Sequence, residues 1–123
     1  MREVSRKKIV VILSQSPYGG SLAREAIDYC LAAAAFEQDL QLIFTSDAVL
    51  QLLNDQQPQS IHQKNISKTL SALPIYGVDN FYVDQEALAD LGLSEKDLCL
   101  PVSIVNANEM TELLANASHT LNF

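Results

Sequence analysis

A chain of 123 residues with 48% hydrophobic and 19% charged side chains can bury one real core and is too apolar for a disordered segment. No apolar run approaches the ~20 residues of a membrane-spanning helix, so roles that need one are excluded. The net charge of −7 is unevenly placed: residues 1–8 carry four basic and one acidic side chain, leaving a body near −10 that is a poor direct ligand for tRNA or DNA.

Residues 1–8 set charge ahead of an apolar stretch, as a secretory signal does. Only five apolar residues follow before Ser14 and Gln15, too few for a secretory core. The chain therefore reads as cytoplasmic, with residues 1–8 a basic solvated arm and residues 9–123 a single domain. Ile9-Val10-Val11-Ile12-Leu13 has no polar alternation, which marks a strand buried on both faces. The loop from Ser14 to Gly20 and Ser21 follows, containing Pro17, Gly19 and Gly20 but no charged side chain, His or Cys. Residues 22–36 then have helical spacing, with Ala23, Ile27, Cys30, Leu31 and Ala34 on one apolar face.

Residues 40–45 read as a second strand, and Ser46-Asp47 as the cap of a short helix over residues 48–53. A polar, glutamine-rich loop spans residues 54–65, longer than most connections. Helical spacing resumes over residues 66–73 and is stopped by Pro74, and Gly77 makes a turn into a strand at residues 81–83. A helix over residues 85–91 closes at Gly92. Residues 100–105 give a fourth strand, Asn108 caps a helix through Leu114, and residues 120–123 form a last strand. The alternation predicts a mostly parallel five-stranded sheet with helices on both faces, in an order that periodicity does not reveal.

Each candidate for chemistry has a plainer duty. Cys30 falls on an apolar helix face, as inert thiols do, and Cys99 sits among hydrophobes near acids that raise a thiol's pKa. No CxxC or Cys/His cluster suggests zinc, and a disulfide is not expected in the cytoplasm. Asp84 directly follows the third strand, where catalytic side chains often stand, yet it is also placed to cap the next helix. His62 and His119 lack partners at diagnostic spacing. Asp47 resembles the ribose-binding acid of dinucleotide folds, but GxGxxG and Walker A motifs are both absent, and so are the acids of a phospho-receiver.

Four motifs in order carry a resemblance. They are Ser14-x-x-Pro17-x-Gly19 entering Arg24-Glu25-Ala26-Ile27-Asp28, the run Ser46-Asp47-Ala48-Val49-Leu50-Gln51-Leu52-Leu53, the segment Phe81-Tyr82-Val83-Asp84-x-x-Ala87-Leu88-x-x-Leu91-Gly92-Leu93, and a short strand ending in Phe123. Together, over residues 8–123, they are similar to the TusC/DsrF family of sulfur-relay proteins. The resemblance implies a three-layer α/β/α domain on a five-stranded, mainly parallel sheet. It also implies a complex with homologous TusB-like and TusD-like subunits, a dimer of heterotrimers. That complex passes persulfide sulfur between small carriers for 2-thiouridine synthesis at the tRNA wobble position. DsrE, DsrF and DsrH form its counterpart in sulfur-oxidising bacteria.

In the TusD/DsrE-type subunit the sulfur-carrying cysteine sits just after strand three, and the matching residue here is Asp84, which cannot form a persulfide. The resemblance therefore implies no catalytic, cofactor-binding or metal-binding residue, and a non-catalytic subunit. Its interface is expected in the loop from Ser14 to Gly20, the face of residues 48–53 or residues 66–76, with Leu50, Leu53, Ile75 and Tyr76 as candidates for an exposed patch. Two alternatives stand beside it: a persulfide carrier through Cys99, less so Cys30, or a flavodoxin-like anion or nucleotide binder using Ser14, Ser16 and the amides of Gly19 to Ser21.

Overall fold

The computed structural model describes residues 8–16, 21–36, 38–53 and 69–123. The basic arm up to Lys7, Pro17 to Gly20, the glutamine-rich stretch and His62 lie outside the described residues. Five strands, β1 (Lys8–Leu13), β2 (Asp39–Phe44), β3 (Asn80–Asp84), β4 (Ser103–Val105) and β5 (His119–Asn122), form one sheet in the order β4-β3-β2-β1-β5. Every pairing is parallel, with Lys8 opposite Asp39 through Leu13 opposite Phe44 in the longest ladder.

The strand order explains the layers. Successive strands from β1 to β4 step in one direction across the sheet, so right-handed crossovers put their connections on one face. The chain then returns past β1 to place β5, and the reversed step carries its helix to the opposite face. Helices α1 (Leu22–Ala35) and α2 (Gln85–Asp90) accordingly share one core. Into that core point Val11 and Leu13 of β1, Leu42 and Phe44 of β2, Phe81 and Val83 of β3, and Ile27 and Cys30 of α1. Helix α3 (Ala107–Ala115) lies over the other face, against Tyr82 and Val105, and buries no residue fully. The three-layer α/β/α architecture and the parallel five-stranded sheet expected from the sequence are both present.

Several boundaries differ from the sequence reading. The fourth strand is three residues long, not six, because the chain before it is engaged elsewhere: Leu98 bridges Leu53 in antiparallel fashion, and the Cys99 amide donates to the Leu52 carbonyl at 2.7 Å. Residues 46–52 form a 3₁₀ helix with Thr45 at its N-cap, not an α-helix capped by Ser46 and Asp47. The last helix is capped by Asn106 rather than Asn108. The Asn106 carboxamide accepts from the Glu109 amide at 2.9 Å, and the Glu109 carboxylate accepts from the Asn106 amide at 2.9 Å. That reciprocal pair satisfies two orphan donors at once, which Asn108, inside the helix, cannot do.

The α-helix expected over residues 66–73, of which 66–68 lie outside the described residues, does end just before Pro74, but the chain keeps turning. Residues 69–72 are helical and tighten into a 3₁₀ turn, Leu73–Tyr76, with Pro74 in its first positions, where no amide is needed. Gly77 ends it at φ 89°. Gly92 closes α2 as expected, at φ 69°, where the Leu93 amide reaches the Leu88 carbonyl and the Gly92 amide reaches that of Ala89.

Candidate functional site

Ligands of open parallel sheets sit beyond the carboxyl ends of the strands, where the strand order reverses. Here that point lies between β1 and β5, and Ser14 occupies it. Its amide and its hydroxyl both donate to the Phe123 carbonyl, at 3.0 and 3.1 Å. Beside it, the buried Gln51 side chain donates through Nε2 to the Gln15 carbonyl at 2.8 Å, which ties the 3₁₀ helix to the start of the first loop. One strand further, Thr45 Oγ1 donates to Asp84 Oδ2 at 2.8 Å, while Asp84 Oδ1 accepts the Glu86 amide at 3.2 Å. The edge is thus held by its own hydrogen bonds.

These bonds assign Asp84 its work. One carboxylate oxygen caps α2 and the other joins the ends of β2 and β3, so both oxygens are occupied in holding the edge. At the neighbouring helix start, Ser21 at the N-cap of α1 makes no capping bond; its hydroxyl donates to the Glu25 carboxylate at 3.1 Å. An acid in the first turn already answers the positive end of the helix. That arrangement weighs against an anion there. Ser46, next to Thr45, takes φ 51°, a left-handed conformation that costs a non-glycine residue on the order of 1 kcal/mol.

Neither cysteine shares a hydrogen bond or a strand end with Asp84 among the described residues. Cys30 is fully buried in the middle of α1, and burial pushes its thiol from the ordinary 9.0 up to about 12. It is a packing residue with almost no thiolate at neutral pH. Cys99 is half-buried in the segment that bridges to Leu53, where Glu95, Lys96, Leu98, Leu100 and Pro101 share an open concavity with it. Neither cysteine follows β3. His119 is exposed at the start of β5, and Asp47 is exposed in the first turn of the 3₁₀ helix. Among the described residues no group of three or more His, Cys, Asp or Glu side chains is gathered to hold a metal ion, and no helix is long and apolar enough to cross a membrane.

The sheet edge therefore brings together Ser14, Thr45 and Asp84, which the sequence singled out or placed at strand ends. Gln51 is the participant that sequence reasoning missed. The signal available was a lone polar side chain amid Ala48, Val49 and Leu52, all buried. Its partner lies 36 positions away, beyond the reach of any periodicity.

Residues 7–123 match the DsrE/DsrF-like family. A TusC homolog of Pseudomonas aeruginosa is 37% identical over 108 residues, covering 88% of this chain and 91% of its own. The TusC protein of Buchnera aphidicola is 36% identical over 118 residues, covering 95% and 99%. Among solved structures, the YchN protein of E. coli superposes with a TM-score of 0.78 at 25% identity over 95% of this chain and 99% of its own. A protein of unknown function from Methanobacterium thermoautotrophicum shares the fold at a TM-score of 0.72 and 16% identity, again over 95% and 99%. Likeness of fold and likeness of sequence over nearly the full length converge: the chain belongs to the DsrE/DsrF-like family, as a TusC/DsrF-type member.

Proposed function

We propose that this chain is a non-catalytic subunit of a TusBCD-type sulfur-relay complex, in which persulfide sulfur passes between carriers for 2-thiouridine synthesis at the tRNA wobble position. Its partners are TusB-like and TusD-like subunits in a heterohexamer, with small sulfur carriers as indirect partners and no direct nucleic-acid contact. The observation that carries the reading is Asp84. The position at the end of β3, which the resemblance matches to the cysteine of the family's sulfur carrier, is filled by a carboxylate spent on Thr45 and on the cap of α2. Such a subunit acts by shape.

An association surface is available for that role. Ile75 is 82% exposed, Tyr76 57% and Phe36 78%. The turn bearing Ile75 and Tyr76 packs on α1 and precedes β3 as Phe36 precedes β2, so all three lie toward the amino end of the sheet on the α1 side. Ile75 and Tyr76 are adjacent on that turn, and contiguous exposed apolar surface is the kind that another chain covers. Leu50 and Leu53, the other two candidates, are half-buried and contribute less.

Native mass spectrometry of the chain co-expressed with its neighbouring genes tests the proposal. A single species holding two copies each of three similar-sized chains is the expected result. A free monomer or a self-only oligomer would overturn it. The half-exposed Cys99 favours one second reading, a persulfide carrier in its own right. Full sulfur transfer by a Cys99→Ser variant would remove that reading.

A further inference from the structure

We draw no further inference here: the strongest candidate, the open concavity of about 470 Å³ around Cys99 between Glu95 and Pro101, rests on a lone cysteine, with nothing in the structure that points to a ligand for it.

Discussion

Thr45 Oγ1 donates to Asp84 Oδ2 across 2.8 Å, so a residue at the end of β2 is locked to one at the end of β3, 39 positions later. Asp84 also caps α2, and its removal breaks two interactions together. Asp84→Ala should cost about 1–2 kcal/mol, and Thr45→Val about 1 kcal/mol, by urea denaturation. The double variant should fall short of the sum, because the shared bond is lost only once. A milder change at the same position separates structure from chemistry: in a reconstituted relay Asp84→Asn should transfer sulfur at close to the wild-type rate. A loss of transfer at unchanged stability and assembly would give Asp84 a chemical role and defeat the non-catalytic reading.

The Cys30 thiol makes stability depend on pH in a defined window. Its folded pKa of about 12 lies above the ordinary 9.0, so the folded state keeps a proton that the unfolded chain loses. This group's contribution is fully present below pH 9 and declines as pH rises towards 12, by about 1.4 kcal/mol per pH unit. Other groups titrate in the same range, so the comparison that matters is with Cys30→Ala, which should flatten the decline. An equal slope in both proteins would refute the assignment.

The two thiols should also differ sharply towards a reagent. In the native protein at neutral pH, an alkylating agent should modify Cys99, which is half-buried, and leave Cys30, which is fully buried. Peptide mapping before and after unfolding reads this directly. Fast native labelling of Cys30 would mean that α1 opens locally far more readily than its packing implies.

The capping assignment at α3 tests how the sequence is to be read. Asn106→Ala should destabilise by about 1 kcal/mol through loss of the reciprocal pair with Glu109, while Asn108→Ala should be near neutral or slightly favourable. Thermal denaturation of the two variants side by side distinguishes them. A larger effect at Asn108 would place the helix start two residues later.

That contrast shows where periodicity suffices and where it does not. The unbroken apolar run of β1 requires burial on both faces, and the spacing from Ala23 to Ala34 requires one face of a helix on a sheet, so both were legible. Gly92 was legible too, since only a residue at ease with positive φ ends a helix that way. Strand order was not, because it depends on the direction in which each crossover steps, and hydrophobicity is the same for either choice. Two asparagines compete to start α3, and only the position three residues before Glu109 allows the reciprocal pair. The short β4 depends on Leu98 and Cys99 being drawn to Leu52 and Leu53, a long-range preference with no local mark. At the sheet edge Asp84 could be read as a cap, but its second bond to Thr45, like that of Gln51 to the Gln15 carbonyl, exists only once the strands are aligned.

The exposed apolar turn offers the most direct test of assembly. Ile75 and Tyr76 are 82% and 57% exposed, so changing both to serine removes little that the isolated chain has buried. Stability of the chain alone should shift by no more than about 0.5 kcal/mol per site. If the turn is part of the subunit interface, Ile75→Ser with Tyr76→Ser should weaken association with the co-expressed partners by at least about tenfold, the ~1.4 kcal/mol that burying even one such side chain can supply. Sedimentation velocity of wild-type and variant complexes at matched concentration measures this. Unchanged association would move the interface to another surface, with the face of the 3₁₀ helix around Leu50 and Leu53 next in line. Weakened association with unaltered folding would place the partner on the amino end of the sheet, on the α1 side and away from Asp84.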